Sequence, residues 1–195
     1  SLRRVSDNIV TDNTRIMGIF ENVLLNNTKE TLVITKKYLY RYNDITNVFD
    51  RIPMAGSVPV GGFNITSNNE YISGTTYPFP NGLNRFVFTG KGMTDIYMYN
   101  GTDVRSFTLD NPNYAPPLVN GVPALLTNAW YIIWFGERLN LFNPTLNAQA
   151  NPQMVLYSGI RDVAGNGDKF NVPGAGQLSA DTFEYINGAC ILGNV

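Results

Sequence analysis

Two stretches of this chain repeat one pattern, and that recurrence limits the folds open to it. Residues 31–52 read TLVITKKYLYRYNDITNVFDRI, and residues 85–107 read RFVFTGKGMTDIYMYNGTDVRSF. Each contains an apolar strand, a Lys-bearing turn, a Tyr-x-Tyr strand, an Asn turn and a Phe-bearing strand. A third unit runs from Trp130 to Phe135, turns at Gly136-Glu137-Arg138, continues through Leu139–Phe142 and resumes at Met154–Ser158. A fourth begins at Thr182–Ile186 and turns at Asn187-Gly188. The first two units start about 54 residues apart, and recurrence of whole hairpin pairs at about 40–50 residues is the signature of propeller blades. The fold expected is all-β: a β-propeller, or part of one, built of antiparallel hairpin blades. Residues 1–195 read as a single all-β region. The opening Ser1 and the apolar close Ala189–Val195 read as cuts from a longer propeller-containing chain.

The composition agrees with many short strands. Apolar residues make up 44% of the chain, charged residues 15% and aromatics 12%. Abundant Asn, Gly, Pro and Thr supply the turns. Asn100-Gly101 is the strongest hairpin signal, because both residues tolerate positive φ. Trp130–Phe135 is apolar on both alternating faces, with Trp130, Ile132 and Trp134 on one and Tyr131, Ile133 and Phe135 on the other. That pattern predicts a strand buried on both sides, between flanking β layers. Ile16, Ile19, Phe20, Val23 and Leu24 also fit helical spacing, but Gly18 would cost a helix about 1 kcal/mol, so a strand is preferred. An open propeller sector would leave strand edges unpaired, so the isolated segment is expected to be poorly soluble or to depend on a partner.

The net charge is −1 and histidine is absent. Leu2-Arg3-Arg4 and Lys36-Lys37 are too small a basic set to grip nucleic-acid phosphates. The lack of histidine removes Ser-His-Asp and Cys-His nucleophiles, His-ligated zinc and imidazole switching. Cys190 is the only cysteine. It excludes an internal disulfide and thiolate zinc sites, and its Ile and Leu neighbours suit a buried apolar role. No apolar run approaches the roughly 20 residues that span a bilayer.

Several groups have candidate chemistry. Asp162–Asp168 places oxygen ligands around glycines, as calcium loops do, but it lacks the EF-hand pattern and reads as a turn with side-chain hydrogen bonds. Asp95, Asp103, Asp110, Glu137 and Glu184 could supply a hydrolytic pair only if two of them converged, and their spacing does not require it. Ser158 lacks a nucleophile elbow and reads as structural. Sequons at Asn26, Asn64 and Asn100 are as frequent as chance allows. Tyr71, Tyr77, Phe79 and Tyr114 lie near loops and could stack on sugars or bases, or pack at a loop base. The long loops Gly56–Gly62 and Asn111–Pro123 are either partner contacts or plain connectors. No catalytic, cofactor-binding or metal residue is assigned, and no cofactor is expected.

The string NRFVFTGKGMTDIYMYNG from Asn84, followed by Val104–Phe107, resembles a blade of the propeller-type virion proteins of tailed bacteriophages. These are the tail-nozzle, packaged-DNA-stabilising and head-to-tail neck proteins. WFGERLNLFNPT, PQMVLYSGIRD, PGAGQ and FEYINGACIL follow in an order similar to that family's. The resemblance covers roughly residues 16–52 and 84–195, and carries over no functional residue because the family is defined by architecture. It implies a structural virion protein, located in the tail or neck. Its partners would be other virion proteins and copies of itself in a ring that retains the genome and passes it during ejection. DNA would pass transiently without tight binding, and no membrane would be involved. No enzymatic activity is implied. The alternative is an all-β module that recognises a glycan or receptor.

Overall fold

The computed structural model describes residues 14–24, 26–66, 70–78, 84–162, 166–179 and 186. Three four-stranded antiparallel sheets follow one another along the chain. The first holds β1 (Ile16–Val23), β2 (Lys29–Thr35), β3 (Leu39–Asn43) and β4 (Val48–Arg51) in chain order. The second holds β5 (Ile72–Pro78), β6 (Asn84–Gly90), β7 (Tyr97–Tyr99) and β8 (Val104–Ser106), again in order. Two small pieces follow: the hairpin β9 (Leu118–Val119) and β10 (Val122–Pro123), then β11 (Leu126–Asn128). The third sheet joins β12 (Tyr131–Phe135), β13 (Arg138–Phe142), β16 (Met154–Tyr157) and β17 (Gly176–Ser179). Between β13 and β16 the chain leaves the sheet to form β14 (Thr145–Leu146) and β15 (Gln149–Ala150), which pair beside β11. No α-helix and no closed barrel or closed propeller is formed among the described residues.

The second sheet lies between the other two. Alternate side chains of a strand point to opposite faces, and both faces of this sheet are dry. Phe86, Phe88, Tyr97 and Tyr99 join Leu32, Ile34 and Leu39 of the first sheet in one cluster. Val87 and Met98 join Ile132, Leu139, Leu141 and Leu156 of the third sheet in another. Phe86, Val87 and Phe88 are consecutive and all buried, which requires a layer on each side. Phe63, from the connector after the first sheet, packs its ring on Phe88 at 5.4 Å and on Tyr97 at 4.8 Å.

The first strands β1, β5 and β12 meet one another, with β5 in the middle. An edge strand has backbone groups with no strand to pair with, and here side-chain hydroxyls meet several of them. The Ser73 hydroxyl donates to Ile132 O (3.1 Å) and accepts from Ile132 N (3.0 Å). Thr89 of β6 does the same for Ala129, in the short link between β11 and β12, at 3.0 and 3.3 Å. Trp134 N donates to Thr75 Oγ1 (3.3 Å), and Val23 N donates to Thr76 Oγ1 (3.3 Å).

Two expectations need correction. Trp130–Phe135 is not buried on both faces: Ile132 is buried and Trp134 packs on the core, but Phe135 is 61% exposed and Tyr131 and Ile133 are only half-buried. The doubly buried strand is β6, because the second sheet and not the third has a layer on each side. The third repeat unit is also offset by one strand. Its leading strand β12 is first in its sheet, whereas the leading strands of the other two units, β2 and β6, are second. Asn100-Gly101 turns the β7–β8 hairpin, as expected, with Tyr99 paired to Val104. Gly101 is at positive φ (96°), and the Asn100 side chain accepts from Thr102 N and Asp103 N, each at 2.9 Å. Among the described residues, Asn120-Gly121, Gly136-Glu137 and Asn147-Ala148 are turns with both residues at positive φ. The segment 16–23 is a strand, as preferred. The unit expected at Thr182–Leu192 and Cys190 lie outside the described residues, apart from Ile186.

Three substitutions test these contacts. Ser73→Ala leaves Ile132 N and O without their partner, and is expected to lower unfolding free energy in urea by about 1–3 kcal/mol. Thr31→Ala, at an exposed position of β2, is expected to change it by less than about 0.5 kcal/mol. Ala148, exposed with φ 63°, is strained for a residue with a Cβ. Ala148→Gly is expected to raise stability by about 0.5–1 kcal/mol in the same assay.

Candidate functional site

The acidic residues are placed by turns at the ends of the second sheet. Asp95 precedes β7, and its carboxylate accepts from Ile96 N (2.7 Å), Thr108 Oγ1 (2.9 Å) and, in a short bond, Ser106 Oγ. Asp110 follows β8 and accepts from Ser106 N (3.0 Å), Ser57 N (2.8 Å) and Ser57 Oγ (3.0 Å). Two carboxylates that spacing alone did not join are therefore brought to one residue, Ser106. Their oxygens are occupied by the protein's own hydroxyls and amides, so the pair clasps the connector at Ser57 to the end of β8. Burial, with a smaller push from the Asp110 charge, raises the Asp95 pKa to about 6 against the bonds from Ser106, Thr108 and Ile96 N.

A second polar centre lies between the second and third sheets. Asp168, in a single 3-10 turn (Asn166–Asp168), is fully buried. It accepts from Asn111 Nδ2 (2.9 Å) and faces the Tyr77 hydroxyl and the Arg85 charge. Burial raises its pKa, while the bonds from Tyr77 and Asn111 and the charges of Arg85 and Lys169 oppose that rise. Burial and the Asp168 charge raise the Tyr77 pKa as well. Asp162, at the other end of the loop that resembled a calcium site, accepts from Asn166 N (3.2 Å) and Asn166 Nδ2 (2.8 Å). The two carboxylates of that loop thus serve different partners. Among the described residues no three acidic or cysteine side chains gather as metal ligands do.

The other candidates separate. Asp103 pairs with Arg105 (2.8 Å) and Glu137 with Arg161 (2.9 Å). Hydrogen bonds from Arg105 hold the Asp103 pKa below its ordinary value. The buried Ser158 hydroxyl accepts from Leu139 N (3.0 Å) and donates to Gly159 O (3.0 Å), so it is structural. The aromatics expected near the surface divide. Tyr71 is 79% exposed, Tyr77 is fully buried against Trp134 (4.8 Å), and Tyr114 packs on Phe107 (5.7 Å). Tyr77 and Tyr114 are thereby removed as stacking surfaces, while Phe79 and Glu184 lie outside the described residues.

Both long loops are tied down. Ala55 N bonds Val104 O (2.9 Å) and Val104 N bonds Pro53 O (2.9 Å), so the connector runs parallel to β8. Phe63 N then returns to Lys37 O (2.9 Å). The later loop bridges in parallel from Ala115 to Lys169, and Phe170 N bonds Ala115 O (2.9 Å). The first of these connectors borders a cleft of about 350 Å³, lined by Tyr38, Arg51, Ile52, Met54, Val58 and Val60 among others. Neither Arg51 nor Tyr38 stood out in the sequence, because the two meet only through pairing of β3 with β4.

No helix among the described residues is long and apolar enough to cross a membrane. The chain is thus an all-β protein of successive antiparallel meanders. No family model, curated protein or solved structure matches it.

The Asp95 clasp has a pH signature. Its folded pKa of about 6 lies above the ordinary carboxylate value, so the ionised form is the one the fold disfavours. Stability is therefore expected to rise as pH falls from 7.5 to 5, by about 2 kcal/mol at most. Urea midpoints measured across that window should climb on acidification in the native chain and lose most of that climb in Asp95→Asn.

Proposed function

We propose that this chain is a β-propeller sector serving as a structural virion protein of a tailed bacteriophage. It belongs to the tail or neck ring that holds the genome and lets it pass during ejection. The observation that supports this reading is the succession of four-stranded meanders in chain order, joined through their first strands. Blades of a propeller stack in that way around an axis. The resemblance of residues 16–52 and 84–195 to phage propeller proteins supplies the virion context. The polar clusters fit an assembly role, since their carboxylates are committed to holding turns and connectors. A net charge of −1 suits a conduit along which DNA passes without sticking. Partners in this reading are neighbouring virion proteins and further copies of the chain, in a ring of closed symmetry.

The test is localisation and assembly. Antibody against the chain should label one end of intact particles, at the neck or tail. Negative-stain images of the full-length protein with its virion neighbours should show rings of one symmetry. Particles that carry no label, together with a protein that stays monomeric beside those neighbours, would overturn the reading. Enrichment on a glycan array abolished by Tyr71→Ala would favour the receptor-binding alternative, because Tyr71 is the described aromatic candidate that presents its ring to solvent.

A further inference from the structure

Arg51 closes the edge strand β4 and sits over a neighbour: its guanidinium carbon is 4.8 Å from the centre of the Tyr38 ring. Other arginines have polar partners. Arg41 pairs with Glu30, Arg105 with Asp103 and Arg161 with Glu137, and Arg138 bonds the carbonyl oxygens of Ser158 and Gly174. Among the described residues, no carboxylate lies within ion-pair distance of Arg51. Its strand neighbour Asp50 points to the opposite face and accepts from Asn43 Nδ2 (2.8 Å). A guanidinium stacked on an aromatic ring is held in place, and its in-plane N–H groups remain free for a bidentate acceptor.

Arg51 stands at the mouth of the 350 Å³ cleft, whose walls include Ile52, Met54, Val58 and Val60. One wall is preorganised. Ala55 N is bonded to Val104 O, and Ser57, between the lining residues Gly56 and Val58, is held by Asp110, so little ordering cost remains for a ligand. The volume falls at the small end of the roughly 300–1,000 Å³ typical of ligand sites. It suits one bulky side chain and its charged group. Arg51 is the one charged side chain among the lining residues, and a lone guanidinium balances a single negative charge better than a phosphate dianion.

We infer that this cleft binds a carboxylate attached to an apolar group. That is the chemistry of a peptide C-terminus with a bulky last residue, or of a small apolar acid. The site is independent of the virion reading.

The test is a proton–nitrogen correlation titration of the full chain. The probes are N-acetylphenylalanine, its amide, a hexapeptide ending in Phe with a free carboxylate, and inorganic phosphate. Saturable shifts are expected at residues 51–58 with both acids and not with the amide or phosphate. Tighter binding of the hexapeptide identifies a chain terminus as the source; equal binding identifies a small acid. Arg51→Gln should weaken both acids at least about tenfold, while Lys29→Gln, on a distant strand of the same sheet, should leave them unchanged. Val60, fully exposed, offers a second variant with little risk to folding, and Val60→Ser should weaken binding several-fold. No saturable shift, equal binding of the amide or of phosphate, or native affinity in Arg51→Gln would each overturn the proposal.

Discussion

The arrangement depends on how the first strands of neighbouring sheets touch. A strand at a sheet edge has N–H and C=O groups that must find partners once they are shielded from water. Another strand is the usual answer, and it would merge two sheets into one. Here Ser73, Thr75, Thr76 and Thr89 provide the partners from their side chains. A hydroxyl can donate and accept at once, so Ser73 meets both backbone groups of Ile132. The sheets stay separate layers, and their faces are free to stack. The doubly buried β6 follows from this, because a sheet can be covered on both faces only if its edge contacts do not consume its neighbours.

The connectors and polar centres work on the same layers from their far ends. The run Pro53–Ala55 lies along β8 as an added parallel strand, and Asp110 holds the next turn through Ser57. Asn111 and Ala115 then carry the chain to the third sheet, where Asp168 and Lys169 receive them. Buried charge is costly unless it is paired or hydrogen-bonded. Asp168, with Asn111, Tyr77 and Arg85 around it, and Asp95, with three donors, meet that condition. Their service is to fix the places where the chain leaves one layer for another.

Strands with strong apolar or aromatic patterns were legible from the residues: β2, β3, β6, β7, β12 and β13 all fall where alternation and turn signals put them. β5 was not. Its sequence, ISGTTYP, is rich in hydroxyls and poor in alternation, because those hydroxyls are spent on neighbouring backbones and not on a core face. The pairs β9–β10 and β14–β15 hid inside Pro- and Asn-rich stretches, being two residues long and set by backbone φ at Asn120 and Asn147. The polar centres were half visible. Asp95, Asp110 and Asp168 stood out as residues, but their partners Ser57, Thr108 and Asn111 are brought by strand pairing and by the paths of the connectors, which no local spacing encodes. Arg51 and Tyr38 escaped notice for the same reason.

The stitched connector between the first two sheets governs how they can move. A free stretch of some twenty residues would let two bodies swing about it. This one is fastened at Ala55 and Ser57 to the second sheet, and then at Phe63 and Ile65 back to the end of β2 in the first. Any rotation of one layer against the other must shear those bonds together with the aromatic packing around Phe63. The pair therefore transmits force as a single stiff block, and compliance must be sought where the chain is held less often, as in the projecting turn at Asn120-Gly121.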